Sequence, residues 1–450
     1  MGTGSHQFRV AFVLKGETGE YHNIDDGIHA EPMTVEWNGE KLRAQTKGGG
    51  SLELWKVPDG KTLEGTFKQG PGTDAQLSLV ALRESFAVTL RPGDGFLKPR
   101  LSAEGEALSS YHYEPPKELS DGWETGDLRQ EKADLPRIET VIRDILKAHD
   151  PYIHGLVLVK DGKLVLDEYF YGYGPQDAHP IQSITKNVFS LLFGIAESQG
   201  LCDLSQKLYD SFPDHRGGPG WDARKDRITL GMLLDMTSGL GCDDLGDSKD
   251  CSWAMVKFPD WLDFSFSLPQ NSDPGKNFAY CGACLTPLGV LLEKQSRMTL
   301  PVFAQKYLFG PLGIAAPSWW EGPKGIHVPA FGISLSPRDM AKLGYLVLKK
   351  GNWQGRQVVP EKWIAQSTSP LVPNTKTGKE ADYGYLWWER NVTWKGKKLR
   401  SFDAWGVGGQ HLFIVPDLGV VCVLTGGNTR APHLANNSFK IFHEVLEALN

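Results

Sequence analysis

Ser183-Ile184-Thr185-Lys186-Asn187-Val188-Phe189-Ser190 is the segment from which the rest of the chain can be ordered. It is the one S-x-x-K in the sequence, and it opens a helix that apolar spacing carries through Leu191, Leu192 and Ile195 to Gly200. Three residues apart on a helix, the Ser and Lys side chains share a face. A serine hydroxyl becomes a nucleophile when a base takes its proton, and a Lys kept neutral by burial can serve as that base. The helix N-terminus adds backbone N–H groups and the positive end of a dipole near any oxyanion that develops. A polar helix cap with a solvated Lys also accounts for the motif, so its neighbours have to decide.

Upstream, residues 153–160 and 163–170 flank Asp161-Gly162, a type I′ turn dipeptide, and predict a β-hairpin. Far downstream, residues 411–415 and 420–424 form a second hairpin around Pro416-Asp-Leu-Gly419, with a helix from 433 to 449 behind it. If the hairpins pair, the two ends of this region share one antiparallel sheet. Residues of about 205–320 read as helix and loop, which predicts a helical subdomain beside that sheet. Another helix starts near Pro136, with Ile138, Val141, Ile142 and Ile145 on one face. Residues 7 to about 90 differ: β-like runs at 8–14, 33–37, 52–57 and 77–82 alternate with Gly, Asp and Asn turns, as in a small all-β unit. Pro92-Gly-Asp-Gly95 and residues 111–116 read as linker. The expected fold class is α+β, with a small N-terminal all-β domain and linker over 1–114 and a larger domain over 115–450.

A chain of 450 residues with 40% apolar, 23% charged and 10% aromatic residues has globular composition and room for more than one domain. Its net charge of −6 supplies no positive field for nucleic acid or anionic lipid. No window approaches the ~20 apolar residues of a membrane span. Met1-Gly-Thr-Gly-Ser-His6 reads as a cloning remnant, and residues 10–14 are too short for a secretory core. Six cysteines make no disulfide scaffold at this size. Cys242 and Cys251 bracket an acidic loop and could pair in an oxidising compartment. Cys281 and Cys284 have metal or redox spacing, but without a neighbouring Cys or His cluster in sequence they read as buried apolar residues, and no metal is expected. No H-E-x-x-H, P-loop, G-x-G-x-x-G or G-x-S-x-G context is present, and no cofactor is implied.

Around the S-x-x-K lie further blocks: Leu234-Asp-Met-Thr-Ser-Gly-Leu240, Pro274-Gly-Lys-Asn-Phe-Ala-Tyr280, Leu308-Phe-Gly-Pro-Leu-Gly-Ile314, Arg338-Asp-Met-Ala-Lys-Leu-Gly344, Tyr383-Gly-Tyr-Leu-Trp-Trp388 and Gly406-Val-Gly-Gly-Gln410. Their order over residues 115–450 resembles the serine β-lactamase-like superfamily, and within it the class C, family VIII carboxylesterase and 6-aminohexanoate-oligomer hydrolase branch. The resemblance implies an antiparallel sheet flanked by helices plus a helical subdomain, and a cofactor-independent serine hydrolase. It makes Ser183 the acylated nucleophile, Lys186 its proton acceptor and Tyr280 the proton shuttle of the second motif. It also implies a small ester or amide as the substrate and a secreted or periplasmic location after removal of a leader, with a cytoplasmic one left open.

The third motif needs care. A literal Lys376-Thr377-Gly378 precedes the Tyr383 block, whereas in the resembled family the motif follows it, so this copy is expected in a solvated loop. Ala404-Trp405-Gly406 is the better match, and in that register the backbone N–H of Val407 joins that of Ser183 as the oxyanion hole. Two departures point away from β-lactams. Tyr280-Cys281-Gly282 lacks the amide of a Tyr-x-Asn, and Ala404 stands where a cationic Lys would attract a carboxylate. Trp387, Trp388 and Trp405 could line an apolar pocket or pack in the core, and His411 near the site reads as a satisfied strand residue rather than a base. The N-terminal unit resembles, more weakly and around residues 61–70, the small domain that precedes the hydrolase in some secreted members.

Overall fold

The computed structural model describes residues 10–15, 18–23, 28–37, 41–46, 51–56, 62–68, 86–89, 99–100, 107–147, 152–245, 251–428 and 437–450. The strand expected at 77–82, the whole Pro92–Gly95 passage, the chain start and the first residues of the last helix lie outside them.

Asp161 and Gly162 both take positive φ, as a type I′ turn requires, and join strands Ile153–Lys160 and Lys163–Tyr169. The second hairpin turns at Gly419, again at positive φ, between Gln410–Val415 and Val420–Gly426. The two hairpins do pair: Val157 faces Val423 and Val159 faces Val421 at the centre of an eight-stranded sheet. Its order is Asp382–Tyr383, Trp388–Trp394, Lys397–Gly406, Gln410–Val415, Val420–Gly426, Ile153–Lys160, Lys163–Tyr169 and Glu124–Thr125. All pairs are antiparallel except the last, which is parallel.

The central strands are apolar on both faces because both faces are covered. Val157, Val159, Leu412, Ile414, Val421 and Val423 point into one core, with helices Thr185–Ser198 and Pro337–Leu348. Their alternates Leu156, Leu158, Phe413, Val415, Cys422 and Leu424 point into the other, under helices Leu135–Leu146 and Asn437–Glu447. Period-2 alternation thus divides one strand between two cores. The result is a helix–sheet–helix α+β architecture. Among the described residues from 205 to 320, short helices such as Leu208–Ser211, Trp261–Ser267 and Thr286–Ser296 carry the regular structure, as the sequence predicts.

The N-terminal strands form a separate seven-stranded antiparallel meander, each pairing with the next in sequence. The runs expected at 33–37 and 52–57 coincide with the second half of strand Ile28–Trp37 and with strand Ser51–Lys56, whereas Thr18–Asn23 and Lys41–Thr46 are too polar to stand out in the sequence. The passage read as linker at 111–116 is docked rather than free. Tyr111 donates to Glu168 at 2.5 Å and Tyr113 donates to the Val165 carbonyl at 2.9 Å, both rings being buried.

Candidate active site

Ser183 sits on a tight entry into its helix. Gln182 takes φ +50°, a left-handed conformation that a non-glycine residue adopts only when its surroundings hold it there. The surroundings here are hydrogen bonds: Ile181 N–H donates to the Ile333 carbonyl at 3.0 Å, and Ile333 N–H donates back to Thr185 Oγ1 at 3.3 Å. Further along, Asn187 donates to the Leu386 carbonyl and Ser190 to the Tyr385 carbonyl, each at 2.7 Å. The polar residues of this otherwise apolar helix are therefore clamps on the Tyr383–Trp388 block. From Thr185 to Ala196 every residue is buried, which a surface cap would not be.

Lys186 is 3% exposed. Its Nζ donates to Ser183 Oγ at 3.0 Å and to the Ala330 carbonyl at 3.0 Å. Burial pushes its pKa down to about 8, with the Asp244 carboxylate pulling the other way. At pH 7 roughly a tenth of the amines are then neutral, against a negligible share for a solvated Lys. The solvated-cap alternative does not describe this residue. Tyr280 is likewise buried, and its hydroxyl is hydrogen-bonded to Ser183. Burial pushes the phenol up, the Ser183 bond opposing it, so the hydroxyl keeps its proton at neutral pH. Lys186 Nζ lies 4.7 Å from the Tyr280 ring centre, and Trp388 is stacked on that ring with centroids 5.9 Å apart. Ser183, Lys186 and Tyr280, nearly a hundred residues apart in sequence at the extremes, meet at one point.

Strand Lys397–Gly406 abuts the turn that carries Ser183. Ala404, Trp405 and Gly406 end strand Lys397–Gly406, opposite Leu412, His411 and Gln410. A Cβ on Gly406 would come within 2.6 Å of the Ile181 carbonyl oxygen and 3.1 Å of Ser183 N, so only glycine fits. Val407 follows at once, exposed, and starts a turn through Gly408 and Gly409, both at positive φ. Gln410 braces this turn by bonding both the N–H and the C=O of Gly426. Behind the strand, Asp403 is fully buried, accepts from Ser401 at 2.5 Å and pairs with Arg390. The literal Lys376-Thr377-Gly378 ends the single helical turn Asn374–Thr377, with Lys376 and Gly378 exposed, ahead of the edge strand Asp382–Tyr383.

Two pocket candidates give way to core. Trp387 is 1% exposed among core residues. His411 is 3% exposed, with its ring parallel to Phe413 at 5.2 Å, and burial followed by the Arg390 charge pushes its pKa down to about 3. It is a neutral strand histidine. Trp388 and Trp405 meet at a tilt of 35° with ring centroids 4.6 Å apart, and the buried Trp388 stacks on Tyr280 rather than lining open surface.

The cysteines require a correction. Cys242 is bonded to Cys251, and Cys281, read from sequence as an unpaired apolar residue, is bonded to Cys284. The sulfurs of Cys242, Cys251 and Cys281 all lie within 4.8 Å of one another, a neighbourhood that linear spacing conceals. It arises because the loop at 242–245 is hydrogen-bonded to the second motif: Asp244 N–H donates to the Tyr280 carbonyl at 2.7 Å. Asp244 and the Ala330 carbonyl are the parts of the site that motif reading missed. The only signal for Asp244 was an acidic doublet next to a cysteine.

A Ser–Lys dyad at a helix start, a tyrosine over it and a sheet strand beside it define a serine hydrolase of β-lactamase/transpeptidase-like fold. The sequence model of the family described as Beta-lactamase matches residues 145–437, and the chain belongs to that family. It is 23% identical over 309 residues to a 6-aminohexanoate-dimer hydrolase of Paenarthrobacter ureafaciens, covering 64% of this chain and 76% of that protein. Similar solved folds include a penicillin binding protein from Bacillus halodurans, with 16% identity, TM-score 0.53 and coverage of 67% and 99% of the two chains. A family VIII carboxylesterase structure matches with 13% identity, TM-score 0.52 and coverage of 68% and 97%.

Proposed function

We propose that the protein is a carboxylesterase acting on small or medium esters through an acyl-enzyme on Ser183. The observation that carries this is Lys186 Nζ at 3.0 Å from Ser183 Oγ, buried and with its affinity for protons lowered. Lys186 takes the Ser183 proton as Oγ bonds to the ester carbon, and the carbonyl electron pair moves onto oxygen. The N–H groups of Ser183 and Val407 hold that oxyanion. As the pair returns, the bond to the alkoxy oxygen breaks. Tyr280 gives that oxygen its proton and is reprotonated by Lys186, which completes the release of an alcohol. Water, deprotonated by the same residues, then frees the acid and restores Ser183.

Ester preference is supported by what the site lacks. Gly282 and Ala404 offer neither the amide nor the cation that would hold a lactam's side chain and carboxylate. Hydrolysis of short linear amides is the second reading, favoured by the similarity to a 6-aminohexanoate-dimer hydrolase. The same proposal assigns residues 115–450 to the hydrolase and 1–114 to an all-β appendage. Labelling with a fluorophosphonate and peptide mass spectrometry tests the mechanism. The adduct is expected on Ser183, with nitrophenyl esters turned over and nitrocefin left intact. Turnover surviving Ser183→Ala would overturn it.

A further inference from the structure

Gly282 stands where an amide side chain would reach toward the lysine, and the structure fills that space from another part of the chain. A Cβ on Gly282 would meet Ser252 Oγ at 2.5 Å, the Ala330 Cβ at 3.1 Å and Asp244 Oδ2 at 3.2 Å. No side chain fits beside this carboxylate. Asp244 instead holds the second motif by its backbone. Its N–H donates to the Tyr280 carbonyl at 2.7 Å, and its Oδ2 accepts from Gly282 N–H at 2.8 Å and from Ser252 Oγ at 2.6 Å. Oδ1 accepts from Ser252 N–H at 2.9 Å, and Ser252 Oγ accepts in turn from Ala283 N–H at 3.1 Å. The Cys242–Cys251 disulfide closes the loop that carries Asp244, and the Cys281–Cys284 disulfide closes the turn that receives it. A polar cluster this well braced fixes a charge at one place.

We infer that Asp244 is a positioning residue for acyl transfer: its carboxylate fixes the Tyr280–Gly282 backbone and supplies the negative charge that stabilises Lys186 as the amine takes the Ser183 proton. The role resembles that of a carboxylate behind a general base in other hydrolases, which orients the base and stabilises its cation. Facing Lys186 are Ser183 and the Tyr280 phenol, with Tyr383 behind the phenol and Asp235 behind Tyr383. Among the described residues, Asp244 is the charged group whose field reaches the amine, and it also bears on Tyr280. It strengthens proton binding at both.

The inference rests on the Ser183–Lys186 mechanism and is tested separately from it. The acid limb of kcat/KM for a nitrophenyl ester, which follows deprotonation of Lys186, is compared among the wild type, Asp244→Asn, Asp244→Ser and Ser252→Ala. Without the carboxylate Lys186 gives up its proton more readily, so in both Asp244 variants the limb moves down by about half a pH unit or more, and plateau kcat falls about tenfold. Ser252→Ala keeps the charge and leaves the limb in place. A residue that only shaped the fold would lower kcat or stability without moving the limb. An unshifted limb in a folded Asp244 variant overturns the assignment, and so does failure of both Asp244 variants to fold while Ser252→Ala folds. If Ser183→Ala retains turnover, it is the underlying mechanism that has failed, whatever the Asp244 variants do.

Discussion

Gly406→Ala isolates the junction between the third-motif strand and the nucleophile turn. One methyl group is added, and it would lie 2.6 Å from the Ile181 carbonyl oxygen, 2.8 Å from Gln182 Cβ and 3.1 Å from Ser183 N. The closest of these neighbours is backbone on the turn itself, so no side-chain rotation relieves it. Ordinary contact begins near 3.4 Å, which requires the strand and turn to part by some 0.8 Å. Overpacking of this kind costs about 1–3 kcal/mol of stability. The catalytic cost should be larger, because the proposed oxyanion donors, Ser183 N–H and Val407 N–H, sit on opposite sides of the widened gap. Loss of one such donor costs about 10²–10³ in kcat. A displacement near 1 Å has a similar effect on reaction geometry. Measuring kcat and KM on a nitrophenyl acetate, with a urea melt of the same preparation, separates the two costs. The expected outcome is kcat down at least about a hundredfold with KM within a few fold and the protein still folded at assay temperature. If kcat stays within threefold of wild type in folded protein, Val407 N–H does not help to hold the oxyanion.

Other perturbations address the remaining parts of the site. Tyr280→Phe keeps the ring against Trp388 but removes the hydroxyl, so kcat should fall about 10²–10⁴-fold with an unchanged melting temperature. The pH dependence of kcat/KM should show an acid limb near pH 8, rising as Lys186 loses its proton, and no loss of rate from phenol ionisation below the alkaline range, which a stopped-flow ester assay would check. Lys186→Met should abolish turnover while lifting a burial penalty that weighs on the fold below about pH 8, where the amine must carry its charge. That penalty fades as pH rises toward the value of a solvated Lys, so any gain in stability over wild type should be larger at pH 7 than at pH 10 in denaturant melts. Arg390→Met leaves Asp403 buried without its counter-charge and should destabilise by about 3–5 kcal/mol. Combining it with Asp403→Leu should recover much of that loss.

What could be read from the residues was local, or was carried by order along the chain. Asp161-Gly162 announces a hairpin because two successive positive φ values suit few other residue pairs, and the apolar runs on either side are continuous enough to stand out. The third motif was placed by its order after the Tyr383 block and not by its letters. The Lys376-Thr377-Gly378 turn shows why letters alone mislead: three residues without a strand behind them have no position relative to Ser183. The sequence could not reveal contacts made by distant segments through backbone groups. Asp244 reaches Tyr280 and Gly282 through their backbone, donating its N–H to the Tyr280 carbonyl and accepting the Gly282 N–H at its carboxylate, and backbone partners leave no pattern in the side chains of the second motif. Burial of both Trp387 and Trp388 was equally hidden, since nothing in a Trp-Trp pair says whether it lines a pocket or packs in the core, and only the finished packing decides.

The pairing at the centre of the large sheet also bears on how the protein comes to exist. Val157 and Val423 are neighbours there although 266 positions (423 − 157) separate them in sequence. During synthesis, strands Ile153–Lys160 and Lys163–Tyr169 must wait for Val420–Gly426 to emerge before their central partner arrives. A premature stop anywhere before Val420 removes the middle of the sheet and not its rim. Such products should be unfolded, exposing apolar strands to proteases and chaperones, and no partial hydrolase should accumulate. Catalytic competence therefore cannot precede the emergence of Val420–Gly426.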